Sequence, residues 1–206
     1  MQHPRLVKWL WIVAMFPFAL LFFLLALTAI GLFGKLPSFE ELENPKSNIA
    51  TEIYSEDGKV LGSFFVQNRS YVEYAELFPE DSTQLLNLDG EDVPAVVAAL
   101  ISTEDERFKS HSGIDIKALI RVGVKTIALG NSGQGGGSTI TQQVAKNLFP
   151  RYTSTNDGKI ARTLRLIGNK LKEWITAIKL EYNYTKEEII AMYFNTVEYG
   201  SNAFGI

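Results

Sequence analysis

The sequence contains no cysteine, and its formal net charge is only −3 over 206 residues. Without cysteine, neither a disulfide framework nor a thiolate metal site can form. The slightly acidic balance argues against nucleic acid as a partner, since nucleic-acid-binding domains carry basic patches. No internal repeat is visible, and the length fits one domain of ordinary size.

A nucleotide-binding loop is also missing. The segment GNSGQGGGSTITQQVAKN, residues 130–147, places glycines directly before a predicted helix, which is the usual arrangement of a phosphate cradle. A nucleotide P-loop ends in Gly-Lys-Ser/Thr, whereas Gly137 is followed at once by Ser138. The glycines therefore need another explanation.

One long apolar run is present. Residues 9–34 are 26 consecutive uncharged residues, and as a helix they would span roughly 39 Å, enough to cross a hydrocarbon core of about 30 Å. The run is longer than the apolar region of a signal peptide, and no clear cleavage site follows it. We therefore predict an uncleaved transmembrane anchor.

Flanking charges predict the orientation of this anchor. Arg5 and Lys8 precede the run, and acidic residues follow Lys35 closely. Because positive charge stays on the cytoplasmic side, residues 1–8 are predicted to be cytoplasmic and residues after about 36 to lie outside the cytoplasm. Residues 35–48 read as a juxtamembrane linker, and residues 49–206 as the extracytoplasmic domain.

That domain is predicted to be mainly helical after a short β segment. Two β-prone runs flank Asp57-Gly58, which is a strong hairpin signal. In DVPAVVAALISTEDERFKSH, Asp92 is a plausible helix cap and Pro94 fits the first turn. The spacing of this helix places four residues on one face, namely Val97, Ile101, Glu104 and Phe108.

Glu104 has two interpretations on spacing alone. Aligned with an apolar stripe, its carboxylate would lose solvent and become a better proton acceptor near neutral pH. Alternatively, Glu104 ends its helix at the solvent edge and forms an ion pair with Arg107 or Lys109.

Two later helices begin with capping signals. Thr139-x-x-Gln142 and Thr185-x-x-Glu188 both match the capping box. In the first helix Gln142 and Lys146 share a face suited to hydroxyls and phosphate, although a solvated surface explains that face equally well. The buried stripes are predicted to contain Ile140, Val144 and Leu148 in the first helix, and Ile189, Tyr193 and Val197 in the second.

Between these two helices a long helix is predicted from Lys159 to Tyr182. Lys170 and Glu173 lie on a face that also carries Asn169, and their spacing is typical of an ordinary surface ion pair. The predicted core side of this helix consists of Leu164, Ile167, Leu171, Trp174 or Ile175, and Ile178.

Taken in order, four motifs resemble the signatures of the peptidoglycan glycosyltransferases, which are the polymerase modules of class A penicillin-binding proteins and the monofunctional transglycosylases. STEDERFKSHSGID resembles the first signature and GGSTITQQVAKNLF the second. KLKEWITAIKLEYNYTKEEIIAMYFNTVEYGSNAFGI resembles the third and fourth. The resemblance implies a mainly α, lysozyme-like fold. It also implies polymerisation of lipid II into glycan strands at the outer face of the cytoplasmic membrane.

The resemblance implies two catalytic carboxylates. Glu104 corresponds to the general base that activates the acceptor hydroxyl, and Glu173 to the second carboxylate, which places the donor or a metal near its diphosphate. The resemblance implies substrate-binding or site-shaping positions at Asp105, Phe108, His111, Gly113, Ser138, Thr139, Gln142, Gln143, Lys146, Lys170, Lys172, Tyr193 and Asn195. We expect the two carboxylates to face one groove lined by basic groups.

No cofactor is required by the sequence, and a divalent cation, Mg or Mn, near Glu173 is an optional addition. His111 is not expected to be a metal ligand. The predicted partners are lipid II, the nascent glycan strand and the bilayer, with proteins of a cell-wall synthesis complex as further candidates.

The sequence departs from the family pattern in two places. Asn169 stands where the family usually has arginine, and the candidates to compensate are Lys172, Arg165 and Arg162. The chain also stops at NAFGI, where the family continues, and it contains no Ser-x-x-Lys of a transpeptidase. We therefore expect an N-terminal fragment. The rival functions are a lysozyme-like lytic muramidase and a non-catalytic scaffold.

Overall fold

A computed structural model describes residues 4–38, 41–42, 51–64, 73–78, 84–88, 90–129, 136–149, 158–200 and 203–204. The second half of the predicted linker, most of the glycine run and the segment after Phe149 lie outside the described residues. The strands occur only as three separate antiparallel pairs in the described part of the chain. The predicted mainly helical fold class is confirmed.

The N-terminal apolar run forms helix α1, Pro4–Ala29. The helix starts earlier than the predicted span, so that Arg5 and Lys8 belong to its first two turns, and it ends five residues before Gly34. A window of α1 reaches a mean hydropathy of 2.6, and none of that window is buried against the rest of the chain. By length and composition α1 can cross a membrane.

The hairpin predicted around Asp57-Gly58 is confirmed. Strand β1, Thr51–Tyr54, pairs antiparallel with β2, Val60–Phe64. Gly58 has a φ of +77° in the connecting turn, a conformation that glycine adopts without strain.

A second hairpin replaces the predicted cap at Asp92. Helix α2, Tyr74–Leu77, is followed by strand β3, Leu85–Leu88, and strand β4, Glu91–Pro94. Asp92 lies in β4 opposite Asn87, whose amide donates to it at 3.1 Å. The prediction that Asp92 caps the next helix is therefore wrong, because cross-strand pairing engages this residue.

The remaining chain is built from five helices, one short 3-10 turn and a third small hairpin. They are α3, Ala95–Glu104; the 3-10 turn, Phe108–Ser110; α4, Ile116–Leu129; α5, Ile140–Leu148; α6, Lys159–Asn183; α7, Lys186–Thr196; β5, Glu198–Gly200; and β6, Ala203–Phe204.

Helix α7 is the centre of the domain, since every residue from Ile189 to Thr196 is buried. Its predicted capping box is confirmed: the Glu188 amide donates to the Thr185 hydroxyl, and the Glu188 carboxylate accepts from the Thr185 amide. The core around α7 is apolar and includes Val97, Ile101, Phe108, Ile140, Val144, Leu180 and Phe194.

The buried face of α6 differs from the predicted one. Of the apolar residues predicted to face the core, Leu171 is buried, whereas Leu164, Ile167 and Ile178 are exposed. The buried face instead carries small and polar residues, namely Gly168, Asn169, Glu173, Thr176 and Ala177. Small side chains are needed there because the Phe33 ring lies against Gly168 and the Gly113 backbone lies against Ala177, and the polar ones belong to the site.

Candidate active site

Glu104 is the last residue of α3, and its side chain is exposed. The Gln143 amide of α5 donates to its Oε2 at 2.9 Å. The interpretation that buries Glu104 is therefore wrong, and the one that places it at the solvent edge of its helix is confirmed. The ion pair predicted with the second interpretation does not form, because its two candidate cations pair with other carboxylates. Arg107 pairs with Asp115 and Lys109 with Glu91.

The phenol of Tyr193 lies within electrostatic reach of Glu104. Burial raises the pKa of Tyr193 above its ordinary value, and the negative charge of Glu104 raises it further. Tyr193 therefore stays protonated at neutral pH, and its ring forms part of the apolar core.

Asp105 ties the segment after α3 to the start of α5. Its carboxylate is buried and accepts hydrogen bonds from the Ile140 amide at 3.0 Å and from His111 Nε2 at 3.0 Å. Phe108 is buried below them, with the Lys186 ammonium 4.3 Å from its ring centroid. These residues fix the position of Glu104 relative to α5, and Asp105 also lines a cavity beside Glu104.

Gly113 forms a second connection between the segment after α3 and the start of α5. Its carbonyl accepts from the Thr139 hydroxyl at 2.7 Å and from the Gln142 amide at 3.2 Å. Its φ is +87°, and a Cβ at this position would lie 2.8 Å from the Ala177 backbone. Only glycine combines this backbone conformation with so close an approach.

The start of α5 carries half of the predicted capping box. The Thr139 side chain accepts from the Gln142 backbone amide at 3.2 Å, which is the predicted cap. The Gln142 side chain does not reach back to Thr139. It is 1% exposed and lies between Gly113 and Lys170, so that it takes part in the site.

Lys170 connects α6 with the beginning of α5. Its ammonium group lies 2.8 Å from Ser138 Oγ, 3.1 Å from Gln142 Oε1 and 3.1 Å from Glu173 Oε2. Glu173 is only 6% exposed. A buried carboxylate needs such a partner, so the Lys170–Glu173 pair is an internal contact and not an ordinary surface pair.

The two candidate carboxylates line different cavities. Glu104 lines a cavity of about 210 Å³, together with Ser138, Arg107 and Arg121. Glu173 lines a larger one of about 640 Å³. That both carboxylates face one shared groove stays a prediction. The Lys170 ammonium lies between a residue of the one cavity, Ser138, and a residue of the other, Glu173.

Comparison with known protein families identifies the family of this chain. The family model described as "Transglycosylase" matches residues 57–206. The chain belongs to the transglycosylase family. This membership confirms the resemblance to the transglycosylase module of class A penicillin-binding proteins, and with it the lysozyme-like fold class.

Curated relatives of this transglycosylase chain support the same family assignment. It is 36% identical over 171 residues to penicillin-binding protein 1A of Pseudomonas aeruginosa, covering 83% of the chain and 18% of that relative. Penicillin-binding protein 1A of Aquifex aeolicus is 34% identical over 177 residues, covering 86% and 21%. Neisseria lactamica penicillin-binding protein 1A is 32% identical over 182 residues, covering 88% and 19%. The chain therefore spans about a fifth of the length of these relatives.

The other predicted site residues of the transglycosylase domain are of two kinds, those that are exposed or line a cavity and those that are buried. Lys146 is exposed on α5, and Lys172 lines the larger cavity with Asn169. Asn195 is buried, and its amide donates to the Ala191 carbonyl at 2.8 Å. Phe108 and Asn195 are buried, whereas Thr139, although also buried, lines the Glu104 cavity; their roles toward a substrate stay predictions.

The residues around Glu173 do not build a cation site on their own. Its Oε2 is engaged by Lys170, and the described residues contain no cluster of three histidine or carboxylate groups. Hard divalent cations need several oxygen ligands. These residues would therefore hold one only with oxygens supplied by a substrate.

Sequence reasoning missed Asp115, which lies directly before α4. Its Oδ1 accepts from the Ala118 amide at 2.9 Å, and its Oδ2 accepts from Arg107 at 2.6 Å. An aspartate before an apolar helix is a recognisable capping signal. Burial opposes ionisation, but these hydrogen bonds and the Arg107 charge hold the pKa of Asp115 below its ordinary 3.8.

A pH dependence of stability follows from this depressed pKa. A carboxyl that is more acidic in the folded state stabilises the fold above its unfolded pKa, and the contribution is lost as the pH falls through the folded value. We expect unfolding free energy to fall below about pH 4, and Asp115→Asn to flatten that dependence. Chemical unfolding followed by circular dichroism across acidic pH checks this; equal slopes in both proteins would contradict it.

Proposed function

We propose that this chain provides the peptidoglycan glycosyltransferase activity that joins lipid II molecules into glycan strands. The observation that carries the proposal is the position of Lys170, whose ammonium bridges Ser138 of the Glu104 cavity and Glu173 of the larger cavity. This arrangement supports an acceptor sugar beside Glu104, a donor beside Glu173, and the reacting carbon between them.

In the proposed reaction Glu104 is the general base. It takes the proton of the acceptor hydroxyl while that oxygen attacks the anomeric carbon of the donor. The bond from this carbon to the diphosphate oxygen breaks, and its electron pair leaves with the polyprenyl diphosphate, so that the configuration inverts. Gln143 orients the Glu104 carboxylate through the contact of 2.9 Å. General base catalysis contributes typically about 10²–10⁴-fold.

The leaving group calls for positive charge more than for a proton, because a diphosphate is a weak base. Fixed ammonium groups that face developing negative charge lower the barrier. Lys170 is preorganised for this role by three hydrogen-bond partners. A bound divalent cation would add charge stabilisation to the leaving diphosphate; in this proposal Lys170 and Lys146 act on that group directly.

The membrane context is part of the proposal. A lipid-linked substrate requires a catalytic domain at the bilayer surface, which the apolar helix α1 provides. With Arg5 and Lys8 inside, the domain lies on the outer face of the cytoplasmic membrane. Proteins of a cell-wall synthesis complex remain proposed partners.

Reconstitution of the full chain in vesicles with labelled lipid II tests the activity. We expect glycan polymer, resolved as a ladder on gels, together with release of polyprenyl diphosphate. Shortening of preformed glycan without polymerisation would instead indicate a lytic muramidase. A folded chain with neither activity would indicate a scaffold, and either result would overturn the proposal.

A further inference from the structure

The larger cavity has a wall that the family motifs do not supply. One side consists of Ala145 and Leu148 of α5, Phe149 directly after it and residues of α6, and the other side is the juxtamembrane linker, residues 35–38 with Glu41. A volume of about 640 Å³ falls within the common range of ligand sites. The chain that leaves the anchor thus encloses part of the Glu173 cavity.

This linker wall is fixed to the domain at several points. The Phe33 ring lies directly on Gly168 of α6, where a Cβ would approach the ring to 2.6 Å. Lys179 Nζ donates to the Pro37 carbonyl at 3.1 Å, and the Tyr184 hydroxyl donates to the carbonyl of buried Leu42 at 2.5 Å. The wall therefore exists before any ligand arrives.

Two ammonium groups in this cavity make no ion pair with the described residues, namely those of Lys35 and Lys172. Lys172 Nζ lies 3.3 Å from the position that a Cβ on Gly34 would occupy, so that it approaches the linker backbone beside Lys35. Of the two acidic residues of the cavity, Glu173 is paired with Lys170, whereas Glu41 accepts only from the neutral Ser38 amide at 2.9 Å and keeps its charge. The two lysines therefore outnumber the one carboxylate that Lys170 does not engage, and the cavity keeps an excess of positive charge.

We propose that Lys35 of the linker and Lys172 of α6 bind the diphosphate of an isoprenoid-linked substrate. The inference rests on the proposed function and assigns to it a contact made by the anchor segment itself. A diphosphate joined to a lipid tail must stay at the membrane boundary. Lys35 is the first charged residue after the apolar run and lies six residues beyond the end of α1, so an anchor formed by α1 would keep it close to the membrane boundary.

The proposed diphosphate site lies next to a predicted catalytic carboxylate. Glu173 lines the same cavity and contacts Lys170, which reaches Ser138 in the Glu104 cavity. A diphosphate held by Lys35 and Lys172 therefore has its sugar end directed toward Lys170. Its lipid end leaves along the linker toward α1.

Binding of geranylgeranyl diphosphate to the full chain in nanodiscs tests the site without requiring turnover. Lys35→Gln and Lys172→Gln are each expected to weaken binding about tenfold, as for the loss of one charge-assisted hydrogen bond. Lys59→Gln is the matched control, because Lys59 is an exposed hairpin lysine paired with Asp57. Affinities within twofold of wild type in both cavity variants would overturn the inference.

Competitors separate the two sources of lipid phosphate. If the site recognises the diphosphate specifically, geranylgeranyl monophosphate and phosphatidylglycerol should compete with geranylgeranyl diphosphate at least tenfold more weakly than unlabelled diphosphate does. Equal competition by phosphatidylglycerol would mean that the lysines contact bilayer phospholipid, which would also overturn the inference.

Gly168→Ala tests the linker wall with both lysines intact. The added methyl displaces the Phe33 ring, and we expect weaker diphosphate binding; unchanged binding would overturn the role of the seated linker. Polymerisation assays separate this inference from the proposed function. Normal polymerisation with an unchanged KM in the lysine variants rejects the site alone. Absent polymerisation with lysine-dependent binding rejects the proposed function alone.

Discussion

Glu104→Gln is expected to reduce polymerisation of lipid II by about 10²–10⁴-fold, which is the usual contribution of a general base. Glutamine keeps the size of the side chain and can still accept the hydrogen bond from Gln143, so the fold around the end of α3 should persist. It cannot accept the proton of the acceptor hydroxyl. The loss should therefore appear in kcat, with little change in KM for the donor.

Glu56→Gln is the matched control, since Glu56 is an exposed glutamate in the first hairpin turn. We expect this variant to polymerise at the wild-type rate in the same vesicles. Near-normal activity of Glu104→Gln, with its glycan ladder intact, would remove Glu104 from the role of base.

Gly113→Ala is expected to have the largest effect on stability. The left-handed conformation costs a side chain roughly 1–2 kcal/mol, and overpacking against the rigid Ala177 backbone adds typically about 1–3 kcal/mol. We expect about 3 kcal/mol of destabilisation in total, measured by chemical unfolding in mild detergent. The backbone shift that accommodates the methyl would displace the carbonyl of residue 113, which Thr139 and Gln142 share as an acceptor, so activity should fall as well.

Gly123→Ala provides the opposite case in the same assay. Gly123 lies inside α4, and a Cβ there would meet nothing within 4 Å. Alanine is a better helix former than glycine by about 1 kcal/mol, so this change is expected to stabilise the chain slightly. Equal effects of the two substitutions would show that backbone conformation at Gly113 is unimportant.

Sequence reasoning succeeded where structure is determined by neighbours along the chain. The hairpin at Asp57-Gly58 and the caps at Thr139 and Thr185 depend on residues three or four positions apart. It failed for the face of α6, because an apolar stripe normally predicts the core. Here that rule is overridden by the close approach of Phe33 to Gly168 and of Gly113 to Ala177, contacts that no local pattern reveals.

The site, like the fold, could be predicted from the sequence only in part. The order of motifs identified Glu104, Lys170 and Glu173, and the family match supports the assignment of these segments. The burial of Asp105 and its bond to the Ile140 amide join residues 35 positions apart in sequence. The linker wall around Lys35 was likewise unpredictable, because residue spacing carries no information about how an anchor packs against its own domain.

The two hydrogen bonds of the Gln142 side chain restrict which residue can occupy this position. Its nitrogen gives a hydrogen to the Gly113 carbonyl while its oxygen accepts one from the Lys170 ammonium. A neutral amide is suited to this place because its two ends have opposite polarity. Glutamate would set a lone pair against a carbonyl oxygen, and methionine would remove one hydrogen-bond partner from each of the two groups, so the chemistry of this position selects glutamine among side chains of similar length.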